Sequence, residues 1–464
     1  MSATYDGTAH IESLAWQTHT PANALADTIL HVVLFVTALS SFFVIIEPAP
    51  YEYLSAVLGL ACVLARVRIS RVVLPLIVLL LICDAGGAIG LLQILDFGWM
   101  RLAGEPVPLV EDFQYPDSIR FLGTSFYLGL SAMMIACICA QDTMRRTATL
   151  RSAYILAAVV ASLLGTAGYF QLNPNLEIFT LYGRATGGFK GPNDMGAFLI
   201  PPLMWLIEGF IVDKIRLRNL VATVIIFIGM LLTFSRGALA SSLVTAALLL
   251  YLLFVTQNDR GLRMRIVFFV AAGVVAAIAI LLLLTSIPMV NEMITQRAGL
   301  QDYDVGGDDR SRLFLQEDSL REIFNHPLGM GPWGFAHATD WVSHNTFLGT
   351  TLNFGWVGGA AYLTLIVLTL FVGFRALWMR TPWQTFLIAT YPAFVAMVFE
   401  GFWGDTDHWR HFYILLGLVW GLAAATHKVA LQKHAQAFLD RTGLPTPGMP
   451  TGLQTFRQSL GKPT

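Results

Sequence analysis

The chain has 464 residues, 55% of them hydrophobic and 13% charged. A soluble domain of that size carries roughly 25% charged residues, so the composition excludes a mainly soluble protein and points to an all-α polytopic membrane protein. The net charge of −1 carries little meaning, because in a membrane the position of a charge matters more than the sum; nucleic acid is not expected as a partner. Residues 1–23 contain no Lys or Arg. They lack the charged start of a cleavable signal peptide, so they are expected to be a cytoplasmic segment ahead of a retained first span.

Apolar runs of the length needed to cross a bilayer, about 20 residues as helix, recur along the chain. About twelve spans are expected, near 24–46, 52–65, 72–95, 121–140, 152–170, 195–212, 219–234, 237–256, 266–287, 346–373, 384–402 and 411–426. The seventh and eighth meet at "FSRG" with almost no loop, and the tenth is long enough to be tilted or broken. Cys62, Cys83, Cys137 and Cys139 lie in these runs and read as small buried hydrophobes. No metal-ligand spacing appears, and neither a metal nor a cofactor is expected.

Basic residues set the orientation. "RVRISR" (66–71), "MRRTATLR" (144–151), "KIRLR" (214–218) and "RGLRMR" (260–265) carry three each, "RALWMR" (375–380) carries two, and all fall on one side. That side is expected to be cytoplasmic, with both termini. The domain plan is a transmembrane unit over 24–427 and a loose tail over 428–464, rich in Pro and Gly. The opposite side holds the long loops, the largest about 288–345. Arginine is scarce there by rule, so Arg101, Arg120, Arg184, Arg236, Arg297, Arg310, Arg312, Arg321 and Arg410, with Lys190, divide between headgroup contacts and anion binding.

Four stretches carry chemistry. "GRATGGFKGPNDMGAFL" (183–199) is a glycine-broken segment before a helix, where open amides, Arg184 and Lys190 suit an anion; Asn193 and Asp194 either join them or cap the helix. "LLTFSRGALASSL" (231–243) places Arg236 between two apolar runs, and an ionisable group at membrane depth usually faces a cavity or a partner. In "DDRSRLFLQEDSLREIFNHPLGMGPWGFAHATDWVSHN" (308–345), Asp308 and Asp309 can cap a helix carrying Arg310, Arg312 and Arg321, which "NHP" stops. Trp333 and Trp341 follow, as an interfacial belt or as platforms for sugar rings. "HNTFLGTTLNFGWVGG" (344–359) then puts an imidazole and an amide at the membrane edge. "GDTDHWRHF" (404–412) reads as a hydrogen-bonded outer cap. Asp84 and Glu400, within or near spans, can simply pair with another helix.

Together these segments resemble the O-antigen ligase and polymerase superfamily of bacterial glycan-assembly enzymes. Its ligases carry His, then Asn/Ser/Gln, nine residues, Gly, two residues and Gly/Thr/Tyr, matched here by His344, Asn345, Gly355 and Gly358. "GRATGGFKGPNDMG" is similar to the family's Arg–Gly–Pro/Asn stretch and "TFSRG" to its Ser-Arg-Gly motif. "SRLFLQEDSLREIFNHPLGMG" resembles its Arg-led helix and "hPl.G.G" turn, with Gln316 where Trp is frequent. The likeness covers roughly residues 180–375. It implies a metal-independent, GT-C-like glycosyltransferase of the inner membrane with a periplasmic site. The donor would be a glycan on undecaprenyl pyrophosphate, the acceptor lipid A–core or another glycan, and the essential residues Arg184, Arg236, Arg312 and His344.

The resulting expectation is that Arg236 and Arg312 grip the departing pyrophosphate. Arg184 and Lys190, with Asn193 and Arg310, would form a further anion contact. His344 would take the acceptor proton, with Asn345 orienting it or capping the helix. Ligation and polymerisation of O-antigen or exopolysaccharide repeats both remain open at this point. A secondary transporter also fits twelve spans, although no repeat relates residues 1–218 to 219–426 as such folds often require.

Overall fold

A computed structural model describes residues 21–97, 99–102, 105–108, 115–257, 259–298 and 312–442. Sixteen helices appear among them: α1 (Pro21–Ser40), α2 (Pro50–Leu64), α3 (Leu74–Phe97), α4 (Tyr115–Cys139), α5 (Thr143–Tyr169), α6 (Pro192–Phe198), α7 (Ile200–Val212), α8 (Leu217–Leu232), α9 (Arg236–Thr256), α10 (Arg260–Thr285), α11 (Pro288–Ala298), α12 (Arg312–Asn325), α13 (Gly334–Thr339), α14 (Thr346–Leu377), α15 (Gln384–Glu400) and α16 (Arg410–Thr442). Two antiparallel ribbons, β1 (Trp99–Leu102) with β2 (Glu105–Pro108) and β3 (Thr180–Leu181) with β4 (Arg184–Ala185), lie in the connections. The protein is an all-α polytopic membrane protein. Each run expected to span overlaps one of these helices, or two for the run over 195–212. Eight are long and apolar enough to cross a bilayer, and four apolar helices are shorter.

Burial sorts the helices by what they face. The apolar window of the α6–α7 unit is 89% buried and that of α16 is 72% buried, whereas that of α10 is 6% buried. The first two form the protein core; α10, with Phe268, Val275 and Leu282 exposed, is apolar in order to face lipid. Around the core, α3 packs on α14, α4 on α16, α5 on α8 and α9 on α15. Gly417 and Gly421 make the α4–α16 contact possible. A Cβ on either would come within 2.6 Å of the Ala132 carbonyl or 2.8 Å of the Ala136 carbonyl, the small-xxx-small logic of membrane helix pairs.

The long tenth span is broken, as its length allows. Gly355 inside α14 has φ 72° and ψ 179°, a conformation essentially restricted to glycine. The turn after α12 closes the break: Met330 N–H donates to the Leu352 carbonyl at 2.7 Å, and Trp356 N–H to the Pro327 carbonyl at 2.9 Å. The Trp356 indole adds a bond to the Ile323 carbonyl at 2.7 Å. The two glycine-bearing motifs are thus one structural joint, and it tilts the first turns of α14 that follow His344. Gly355→Ala is expected to cost about 1–3 kcal/mol through backbone strain and a Cβ placed 2.7 Å from the Leu328 carbonyl carbon. A thermal melt that matches the wild type would refute the joint.

α16 runs on from its apolar part into the polar run "HKVALQKHAQAFLDRT" and ends at Thr442, because that run holds no Gly or Pro to stop it. Arg310, Asp308, Asp309 and the remainder of the tail lie outside the described residues.

Candidate active site

A cavity of 1830 Å³ opens between α9, α12, α14, α15 and the turn before α16. Its wall includes Arg184, Lys190, Asn193, Arg236, Arg312, Trp333 and His344. Seven of the ten residues singled out from the sequence therefore meet in one space. Trp341 and Asn345 do not line it.

His344 is held in an unusual conformation. Its φ is +48°, sparsely populated for a residue with a Cβ. A two-sided clamp keeps it there. Asn345 caps α14, its side-chain oxygen accepting from Phe347 N at 3.0 Å and Leu348 N at 3.2 Å, while its Nδ2 donates to the Phe402 carbonyl at 3.3 Å. Thr346 Oγ1 donates to the Gly404 carbonyl at 2.8 Å and accepts from Thr406 N at 2.7 Å. Asn345 is thus the cap rather than a wall residue, and a good Ncap amide stabilises by about 1 kcal/mol. From the other side, Gln316 of α12 donates to the carbonyls of His344 at 3.3 Å and Phe402 at 3.2 Å. Arg312 Nη1 reaches the Trp403 carbonyl at 3.3 Å. The helix that carries Arg312 is thereby fastened to the segment that carries His344.

The clamp also brings Asp405 to the imidazole, Oδ2 lying 3.7 Å from His344 Nδ1. That is beyond hydrogen-bond length, so the carboxylate does not hold a proton on the resting ring. Burial, then the Arg312 charge, lower the His344 pKa below its ordinary value. Burial, then the neighbouring Asp407, push Asp405 up to about 7. Near neutral pH the ring is uncharged and basic, beside a carboxyl able to share a proton. The sequence places Asp405 in a polar outer turn; only the fold pairs it with a histidine 61 positions earlier. Activity that depends on the neutral ring falls as pH drops through its lowered pKa, so the acidic limb should lie below pH ~6.5. Arg312→Gln removes one cause of the lowering and should move the limb of residual activity upward. An unmoved limb would argue against His344 as the titrating group.

The arginines differ in their surroundings. Arg236 is the first residue of α9, whose Ncap Ser235 accepts from Ala238 N at 3.3 Å. It is exposed and lines the cavity. Glu400 of α15 lies against the same turn, accepting from Ser241 Oγ at 2.6 Å. Arg184 is buried, its Nε donating to the Thr233 carbonyl at 2.7 Å and its Nη2 to Asn193 Oδ1 at 2.9 Å. It therefore ties the segment before α6 to the turn that presents Arg236. Lys190 pairs with Glu47 at 2.7 Å. Burial would raise the Glu47 pKa, but the Lys190 hydrogen bond and charge hold it below its ordinary value. The expected anion contact around Lys190 is thus already met by a carboxylate of this chain.

Beneath Arg236 the cavity wall continues along one face of α9 through Ala240, Val244 and Leu248, opposite Val395 and Phe399 of α15. Twelve helical residues span about 18 Å, so the space extends from Arg236 along α9, past Ser241 and Thr245, between mostly apolar side chains. Among the described residues no group of three or more His, Cys, Asp or Glu side chains could hold a metal ion.

Residues 221–363 match the family described as O-antigen ligase. The match runs from α8 into α14 and includes Arg236, Arg312 and His344. It supports the O-antigen ligase and polymerase superfamily, the resemblance already carried by the motifs. No curated protein matches the chain.

Proposed function

We propose, on the premise of an O-antigen ligase-type enzyme, that the cavity transfers a glycan from undecaprenyl pyrophosphate to an acceptor hydroxyl at the periplasmic face, with lipid A–core as the acceptor. The observation that carries this reading is one continuous space holding Arg236, Arg312 and His344 at its mouth and an apolar track between α9 and α15 below. A lipid-linked donor needs both ends: cations for its diphosphate and a lipid-facing slot for its tail.

In the reaction the acceptor oxygen bonds to the anomeric carbon as the bond from that carbon to the diphosphate oxygen breaks. The electron pair leaves with the diphosphate, where the guanidinium groups of Arg236 and Arg312 stabilise the growing charge. The hydroxyl proton passes to the neutral imidazole of His344. Asp405 steadies the imidazolium that forms and later shares its proton. The chemistry needs no metal, because fixed cations supply the stabilisation an ion would give. Arg184 and Asn193 act by positioning the turn of Arg236, and Trp333 lines the glycan path. The bias of the basic loops supports a mouth on the periplasmic side of the inner membrane, with both termini inside.

The test is transfer in vitro from a defined undecaprenyl-pyrophosphate glycan, with chelator present and acceptors supplied one at a time. Product on lipid A–core alone is the expected result. Product only on a second lipid-linked repeat would make the enzyme a polymerase, and no product on either would overturn the reading.

A further inference from the structure

One wall of the same cavity differs from the part lined by Arg236 and Arg312. His411, in the first turn of α16, is 1% exposed and lines the cavity. Neither of its ring nitrogens has a hydrogen-bond partner. Buried polar groups in native proteins are nearly always satisfied, and a neutral imidazole offers one donor and one acceptor. The ring lies on Trp409, centroids 4.9 Å apart and tilted by 30°, and meets Phe189 edge-on at 6.4 Å.

The charges around it argue against an anion. Arg410 is buried against Glu52, Nη2 to Oε1 at 2.6 Å, and Lys190 is paired with Glu47 at 2.7 Å. Asp194 takes a side-chain hydrogen bond from Trp409. Both cations on this wall are paired with carboxylates, and Glu47 and Asp194 line the cavity beside them, so an added anion would meet acids whose charge opposes it. A neutral group whose polar atoms both donate and accept, and whose apolar face can lie on an aromatic ring, fits instead. Sugars have that chemistry.

We propose that His411, Trp409 and Asp194 form a binding subsite for an uncharged sugar ring of the glycan, separate from the diphosphate end of the cavity. The inference rests on the glycan-transfer reading, and it divides the cavity into a cationic pole for the leaving group and a neutral pole for the carbohydrate. The His411 ring accepts from one hydroxyl and donates to another, and Trp409 packs against the face of the sugar.

Binding to the purified protein in nanodiscs tests this with two probes: phosphate-free oligosaccharides released by mild acid from the host's surface polysaccharide, and inorganic pyrophosphate. His411→Phe keeps a ring against Trp409 but removes both nitrogens. It should weaken oligosaccharide binding at least tenfold and leave pyrophosphate binding unchanged, while His411→Gln, which keeps a donor and an acceptor, should recover most of the loss. Arg236→Ala should show the reverse pattern. Wild-type protein that binds pyrophosphate but no oligosaccharide, or a His411→Phe protein that binds sugar normally, overturns the subsite alone. Sugar binding that needs His411, without any pyrophosphate binding, sinks the lipid-diphosphate donor and leaves the subsite standing. Should His411→Phe not fold, cryo-electron microscopy of the wild type with the oligosaccharide decides. A sugar hydroxyl within hydrogen-bond distance of His411 is expected, and only water there, or sugar bound elsewhere, refutes the proposal.

Discussion

His344→Ala protein is expected to insert and fold normally and to transfer glycan about 10²–10⁴-fold more slowly, the usual contribution of a positioned general base. The fold should survive because the turn around residue 344 is held by other groups. The Asn345 cap, the Thr346 bonds to Gly404 and Thr406, and the Gln316 bond to the backbone carbonyl of residue 344 all remain. The positive φ of residue 344 persists in the variant, and alanine tolerates it no better than histidine, so no strain is relieved and the change in stability should be small. The chemical loss should be large because the positioned proton acceptor itself is gone. Asp405, pushed up to about 7 by burial and by Asp407, stays on the cavity wall and sets the residual rate. Single-turnover transfer from a radiolabelled lipid-linked donor measures the effect. A rate within tenfold of wild type would remove His344 from the chemistry.

Arg312→Ala should be nearly as damaging, with a loss on the order of 10²–10³-fold in turnover from one missing donor to a developing anion. Two effects combine there. The guanidinium no longer faces the leaving diphosphate, and its bond to the Trp403 carbonyl, one of the fastenings of α12, disappears. Arg312→Lys separates them. Lysine restores the charge but not the forked geometry that matches phosphate oxygens, so it should recover only part of the loss. Arg236→Ala should also fall steeply, and because Arg236 sits on α9 rather than α12, the double variant should lose more than either single one. Normal ligated or polymerised product from Arg312→Ala would exclude it from leaving-group stabilisation.

Much of this site was legible in the order of residues. Arg236 stood out because a cation between two apolar runs is costly unless a cavity or partner receives it, and the structure puts it at a cavity mouth beside Glu400. The broken tenth span was legible from its length. Lys190 was less so: its spacing matched an anion contact, yet Glu47, 143 positions earlier in the chain, answers its charge. Trp341 shared the aromatic pattern of Trp333, but only Trp333 reaches the cavity wall.

Local physics explains that division. Composition, apolar run length and the bias of basic loops act within a single helix or loop, so sequence alone determined that this is a multi-pass helical protein and which polar residues interrupt or flank its apolar runs. The partnerships at those edges depend on contacts between distant parts of the chain. The approach of Asp405 to His344, the clamp made by Gln316, the glycine joint between residues 329 and 355 and the unsatisfied ring of His411 exist only once the helices have packed. Tertiary structure decided them because distance, burial and the direction of a hydrogen bond are properties of the packed bundle, and no spacing along the chain encodes them.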